Sequence, residues 1–236
     1  MAHLEGSERA HYVQNMFAGI AGNYDLMNRL MTFGQDMKWR KTVIKQARIP
    51  KGGRLLDIAT GTGDIAAEAL KKDPTIQSVG GDFTIEMMIA GKNDYPERKP
   101  IQWAVSDTLS LPFPDNYFDA VTSGFLMRNV IDVEGAFKEQ MRVTKPGGRV
   151  VVLETSPPKD NLLKPFILFH LNYILPTLGR MIAGSSEAYT YLPDSTKAFK
   201  TPDALAFAMR QMGFKDVEFE EFMMRTIAIH AGTKPL

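Results

Sequence analysis

From Gly53 onward, short apolar runs alternate with stretches whose apolar residues recur at helical spacing. The runs at 54–59, 76–82, 101–105, 118–124 and 148–154 predict strands, and the patterns at 62–72, 84–92 and 132–144 predict helices. Such alternation implies an α/β fold, a mostly parallel sheet with helices on both faces. Lys145-Pro146-Gly147-Gly148 reads as a turn that stops one helix and launches the fifth strand. A helix over 202–212 follows, with Thr201 as its N-cap and Gly213 at its end. The strand-like runs 214–222 and 226–233 have little between them and predict a closing antiparallel hairpin, for seven strands in all.

Two segments break the alternation. Before the first strand, Val13, Met16, Phe17, Ile20, Tyr24, Met27, Leu30 and Met31 recur near helical spacing, broken by Gly19 and Gly22. Residues 36–48 read as a further helix stopped by Pro50. Residues 1–50 are thus a helical cap added before the sheet; it could lie over a ligand, although most of its methionines read as core packing. After the fifth strand, residues 160–200 form a second addition, crowded with apolar side chains such as Leu162, Phe166, Phe169, Ile174 and Met181. Pro165 and Pro176 argue against one long helix there. Such a piece could be a lid, a channel for a greasy substrate, a membrane-contacting surface or the face of a homodimer. The expectation is one domain over 1–236, with no internal repeat.

Composition narrows the function classes. The chain has 236 residues, 44% of them hydrophobic, and a net charge of +1, so nothing argues for a nucleic-acid partner. There are no cysteines, which removes disulfides, thiolate metal sites and cysteine nucleophiles. His3, His11 and His170 show no ligand spacing, and no metal site is expected. The first nine residues carry no signal-like apolar stretch, and no apolar run is long enough for a transmembrane helix. A cytoplasmic protein is expected, with peripheral membrane contact left open.

The candidate chemistry gathers at Leu55-Leu56-Asp57-Ile58-Ala59-Thr60-Gly61-Thr62-Gly63-Asp64. An apolar run ends in an acid, two glycines flank a threonine, and helix formers follow, the layout of a strand, turn and helix that cradles a nucleotide-like ligand. Asp82 ends the next apolar run, where a ribose-binding acid is expected. Gly61-x-Gly63-x-x-Ala66 also satisfies the dinucleotide pattern, so the glycines alone do not choose the cofactor. Asp57 helps to choose: a carboxylate beside the turn would repel a pyrophosphate but attract the ammonium and sulfonium of S-adenosylmethionine. The plainer alternative is that Asp57 caps the turn. S-adenosylmethionine is the favoured cofactor.

Several segments resemble the UbiE/COQ5/MenG family of quinone-biosynthesis C-methyltransferases. They are Ile20-Ala21-Gly22-Asn23-Tyr24-Asp25-Leu26-Met27-Asn28, Trp39-Arg40, the 57–64 turn, Leu111-Pro112-Phe113-Pro114-Asp115 and Arg128-Asn129-Val130. Lys145-Pro146-Gly147-Gly148-Arg149 with Leu153-Glu154, Tyr189-x-Tyr191-Leu192 and Ala228-Ile229-His230 complete the set. The chain departs from the family at Thr60, at Phe125-Leu126-Met127 and at Phe222-Met223-Met224-Arg225-Thr226, the last two bearing on the acceptor. The resemblance implies a Rossmann-like class I methyltransferase that acts on a lipophilic prenylated hydroquinone. It further implies that Asp57, Gly61, Thr62, Gly63 and Asp82 surround the cofactor, with Asp82 on the ribose hydroxyls. Asp107 and Thr108 would face the adenine, and Gly124 would lie under the methionine moiety. Tyr24, Arg128 and Asn129 would form the polar patch at the acceptor, where a cation could lower a phenol's pKa. On the residues alone, the alternatives are that Arg128 is a surface arginine paired with Asp132 or Glu154 and that Tyr24 is a core tyrosine. Glu154 could touch the acceptor or be a solvated strand end, and His230 reads as structural.

Overall fold

A computed structural model describes residues 6–182 and 187–236, leaving the side chains of Ser7 and Glu187 aside. Seven strands, β1 (Arg54–Ile58), β2 (Gln77–Asp82), β3 (Gln102–Val105), β4 (Phe118–Gly124), β5 (Thr144–Thr155), β6 (Lys215–Phe222) and β7 (Ile227–Thr233), form one sheet. Their order is β3-β2-β1-β4-β5-β7-β6. β1 pairs in parallel with both β2 and β4, while β7 lies antiparallel between β5 and β6. The expected hairpin therefore exists, with its second strand turned inward to the sheet.

The period of two along the strands sorts their side chains onto two faces. Leu56, Val121, Val150 and Val152 pack on one face against Phe137, Leu205 and Met209. These come from α6 (Val133–Val143) and α10 (Pro202–Gln211). Leu55, Ala120, Val151 and Leu153 pack on the other against Trp39, Val43, Ile44, Ile65 and Ala69. Those come from α3 (Asp36–Ala47) and α4 (Asp64–Lys72). α5 (Ile85–Asp94) follows β2 and buries Met87 and Met88. Asp132 caps α6 by accepting from the Gly135 N–H, and Thr201 caps α10 by accepting from the Ala204 N–H.

The Lys-Pro-Gly-Gly turn falls inside β5 rather than before it. Thr144 pairs with Phe118 and pairing resumes at Arg149 with Ala120, so 145–148 bulge out opposite a single residue. Lys145 is held there by an ion pair with Asp119 at 2.6 Å.

The cap is α1 (Gly6–Ile20), a short 3₁₀ turn over Ala21–Asn23, α2 (Tyr24–Met31) and α3. α1 runs through Gly19 to Ile20, and Gly22 lies in the 3₁₀ turn that follows it. The insertion corrects the sequence reading: it runs helically from Lys164 to Ile182 despite its prolines. It consists of α7 (Lys164–Phe169), a π-helical stretch His170–Ile174 and α8 (Leu175–Ile182). Pro165 sits in the first turn, where no N–H partner is needed. Before Pro176 the Leu175 N–H reaches back five residues to the His170 carbonyl, and this widened turn absorbs the proline. α9 (Glu187–Ala198) completes the insertion. Among the described residues, no helix is long and apolar enough to cross a membrane.

Candidate active site: two adjoining cavities

The strand order reverses between β1 and β4, and in open sheets of this kind ligands bind beyond the carboxyl ends of the strands at that point. A cavity of about 180 Å³ lies there. Gly61 from the turn after β1, Asp82, Thr84, Ser106, Asp107, Thr108 and Gly124 supply its floor and sides. Val13, Gln14 and Phe17 of α1 close it from above, so the cap lies over the cavity. Gln14 is fastened there by donating to the Phe83 carbonyl at 2.9 Å.

Asp82 organises the rim. One carboxylate oxygen accepts from the Gly61 N–H and the other from the Thr84 N–H, each at 2.7 Å. Burial pushes its pKa up, and those two N–H bonds pull it back. The Phe83 N–H and the Thr84 hydroxyl act on it in the same sense, and the carboxylate still borders the cavity as an acceptor. Gly61 has a left-handed φ of +57°, and a Cβ there would meet Met87 at 3.2 Å and the Tyr24 ring at 3.8 Å. Farther along, the hydroxyls of Ser106 and Thr108 are buried without a partner. Asp107 is exposed and accepts from the Leu109 N–H at 2.9 Å, which shapes the loop.

Three residues of the turn are placed differently from the family-based expectation, because none of them lines this cavity. Asp57 is 1% exposed and accepts from the Thr60 and Thr122 hydroxyls at 2.6 and 2.7 Å. Burial pushes its carboxyl up to about 7, against the pull of both hydroxyls. Its role in the described structure is to brace the turn, the plainer of the two readings. Thr62 donates to Asp25 of α2 at 2.6 Å and so ties the cap to the turn. Asp25 also accepts from Arg98, whose guanidinium bridges to Asp64; Asp64 in turn pairs with Arg40 at 2.5 Å. Gly63 is the residue before α4, with φ +91°, and a Cβ there would lie 2.6 Å from Trp103. A close approach to a tryptophan, rather than to a ligand, calls for that glycine.

A second cavity, of about 260 Å³, adjoins the first beneath the insertion. It is lined mostly by apolar side chains, including Met16, Ile20, Trp39, Phe166, Ile167, Leu175 and Met223. Phe17, Tyr24 and Phe125 line both cavities, which meet at these residues. Phe125 holds a left-handed φ of +59°, an unfavourable conformation for an aromatic residue, with its N–H fixed to the Leu153 carbonyl at 2.7 Å. Met223, Met224 and Arg225 continue the pattern with φ of +46°, +54° and +68°, in the turn that carries Met223 and Met224 into the second cavity.

Of the three residues assigned to the acceptor patch, Tyr24 and Arg128 line this cavity, whereas Asn129 faces the first. Tyr24 faces both cavities; burial raises its pKa, while Asn28 and Arg128 pull the other way. Arg128 lines the second cavity and is not on the surface: it is buried, donating through Nη1 and its N–H to the buried carboxylate of Glu154. Glu154 is therefore no solvated strand end. Asn129 lines the first cavity, donating to the Phe125 carbonyl and accepting from the Tyr191 hydroxyl, both at 3.0 Å. His230 is buried away from both cavities with Nε2 on the Pro202 carbonyl at 2.9 Å. Sequence reasoning missed Asn28, Phe17, Phe125, Ser106 and Tyr189. Asn28 was legible, because it stands one helical turn after Tyr24 and so shares its face.

Similarity to known proteins points the same way. Residues 5–234 match the profile of the ubiE/COQ5 methyltransferase family. The chain is 48% identical to a ubiquinone/menaquinone biosynthesis C-methyltransferase UbiE of Desulfotalea psychrophila, over 94% of this chain and 90% of that one. It is 42% identical to a demethylmenaquinone methyltransferase of Roseiflexus sp., over 96% and 95% of the two chains. Among solved structures, an S-adenosylmethionine-dependent methyltransferase of Thermotoga maritima superposes with a TM-score of 0.65 at 18% identity, over 93% of this chain and 98% of that one. A phosphoethanolamine N-methyltransferase of Haemonchus contortus in complex with S-adenosyl-L-methionine gives 0.62 at 18% identity, over 84% and 53%.

Proposed function

The chain belongs to the ubiE/COQ5 methyltransferase family, and from that premise we propose that it methylates a ring carbon of a prenylated hydroquinone in menaquinone or ubiquinone biosynthesis. The observation that carries the proposal is the pair of cavities that meet at Phe17, Tyr24 and Phe125. One is polar at its rim and sits at the switch point of the sheet; the other is greasy. A methyl donor in one and a lipophilic acceptor in the other can thus meet where the two cavities share lining residues.

The first cavity suits S-adenosylmethionine. Its unpartnered Ser106 and Thr108 hydroxyls are groups that a polar ligand would satisfy, and Asp82 offers its carboxylate to ribose hydroxyls. Asp107 would accept from an exocyclic amine, and Gly124, at the end of β4, lines the part of the cavity where the methionine moiety would lie. When bound, the cofactor supplies an electrophilic methyl group.

The protein's own part is to orient, dry and charge the acceptor side. The cap and insertion exclude water, which strengthens every electrostatic contact inside. Arg128 lies beside Tyr24 and lowers the cost of a phenolate oxygen, from which the neighbouring ring carbon gains nucleophilic character. Glu154 fixes the guanidinium and balances its charge. The prenyl tail would leave past Phe33 and Phe166, which line the second cavity and are 75% and 72% exposed, toward the exposed pair Phe169 and Tyr173 on the same insertion. That band suits an enzyme that collects its acceptor from a membrane face without spanning it.

The test is incubation with methyl-labelled S-adenosylmethionine and a panel of prenylated benzo- and naphthohydroquinones. Label should enter the lipid-soluble product. Transfer to a phosphobase or small amine, with none to any hydroquinone, would overturn the acceptor reading.

A further inference from the structure

The second cavity contains three polar atoms that no described residue satisfies. Arg128 Nε and the Tyr189 hydroxyl are each buried without a hydrogen-bond partner, Asn28 Nδ2 has only the Tyr24 hydroxyl to turn to and lies beyond normal hydrogen-bond distance of it, and all three residues line this cavity. They come from separate parts of the chain: α2, the segment after β4, and α9 of the insertion. Buried polar groups are almost always paired, so three orphans around one cavity point to a missing ligand atom. An amide NH₂ and a guanidinium N–H can only donate, and a phenol hydroxyl can donate. The complement of such a set is an oxygen acceptor, and an anionic oxygen suits it best.

Tyr189 is the member that the acceptor reading has not used. Its ring is 3% exposed and packs with Met16, Ile20, Met27 and Ala188. On its other side stands Gly179 of α8, where a Cβ would overlap the ring, so the ring has no room to swing. The hydroxyl is therefore held in one place. Burial raises its pKa, and Tyr24 nearby adds to the effect, so it stays protonated and able to donate.

We propose that Tyr189 donates a hydrogen bond to a phenolic oxygen of the acceptor, with Asn28 addressing the same group, so that the cap and the insertion jointly select an oxygenated ring. This rests on the hydroquinone reading above. It gives the Tyr-x-Tyr-Leu segment two separate tasks: Tyr191 steadies Asn129 at the cofactor side, and Tyr189 reads the acceptor.

The test compares the wild type with Tyr189→Phe, which keeps the ring on Gly179 and removes only the oxygen. Calorimetry with 1-naphthol, naphthalene and S-adenosylhomocysteine reads the three affinities. The wild type should prefer naphthol to naphthalene, and Tyr189→Phe should weaken naphthol roughly 5- to 30-fold while leaving the other two unchanged. Because the hydroxyl has no partner in the protein, the melting temperature of Tyr189→Phe should stay level or rise. An unchanged naphthol affinity, an equal loss for naphthol and naphthalene, or a clear drop in melting temperature would each overturn the role of Tyr189 alone. A wild type that binds naphthol no better than naphthalene would instead overturn the hydroquinone reading, and this inference with it.

Discussion

Glu154→Gln leaves Arg128 charged and takes away the charge that matches it. The carboxylate accepts from the Arg128 guanidinium and N–H and from the Thr155 N–H at 2.8 Å. Glutamine keeps the shape, but whichever oxygen becomes an NH₂ now faces a donor. Burial decides the magnitude: the two side chains are 1% and 6% exposed, so water cannot screen the loss. Breaking a buried pair from one side costs about 3–5 kcal/mol, against roughly 0–1 kcal/mol for an exposed pair. In a domain of this length each kcal/mol shifts the melting temperature by about 2–4 °C, so a fall of roughly 6–20 °C is expected by scanning calorimetry at pH 7. An anionic phenolate ligand should restore more stability to the variant than it adds to the wild type, because it supplies the missing charge. A double replacement, Arg128→Met with Glu154→Leu, should recover much of the stability and remain inactive. A fall below about 2 °C for Glu154→Gln would refute the argument, since it would mean that water screens the pair and Arg128 is no dry cation.

Asp82→Asn should weaken S-adenosylhomocysteine binding by about 2–3 kcal/mol, since the amide cannot accept from both the Gly61 and Thr84 N–H groups and a ribose as well; an unchanged dissociation constant by calorimetry would reduce Asp82 to a loop brace. Asp57 titrates near pH 7 when folded and near 3.8 when unfolded, so the fold favours its protonated form; the stability it adds is complete below pH 3.8 and is lost as pH rises through 7. Asp57→Asn should therefore flatten the pH dependence of urea unfolding between pH 4 and 7 by up to about 4 kcal/mol, and an identical slope in both proteins would show that the carboxylate is ionised in the fold. Phe166→Asp, at an exposed position on the second cavity, should raise KM for long-tailed acceptors and spare short-tailed ones, because each buried CH₂ is worth about 0.8 kcal/mol; equal losses on both, in a variant whose circular dichroism is native, would remove the tail from this path.

The sheet was legible because strand burial leaves a signal in every second residue. Leu55 and Leu56 go to opposite faces, and the same alternation sorts Val150 to Leu153. The insertion was harder, because Pro165 and Pro176 carry the same signal whether they break a helix or sit at its start or behind a π turn. At the site, the motif residues that line a cavity, Tyr24, Gly61, Asp82 and Arg128, are those whose neighbours leave open space. Asp57, Thr62 and Gly63 belong to the same motif, yet Thr122, Asp25 and Trp103 fill the space around them. Those partners lie 37 to 65 residues away for Thr62 and Asp57, and local spacing carries no trace of them. The left-handed run Met223 to Arg225 was invisible for another reason: its side chains ordinarily resist that conformation.

The measurement closest to the central claim is a single turnover with ¹³C-methyl S-adenosylmethionine and a prenylated naphthohydroquinone, read by carbon NMR of the extracted lipid. A methyl passed directly to an activated ring where the two cavities meet, at Phe17, Tyr24 and Phe125, should appear bonded to carbon, ortho to a phenolic oxygen. Label found on oxygen as a methyl ether, or retained on the cofactor while the enzyme binds both ligands, would contradict the account.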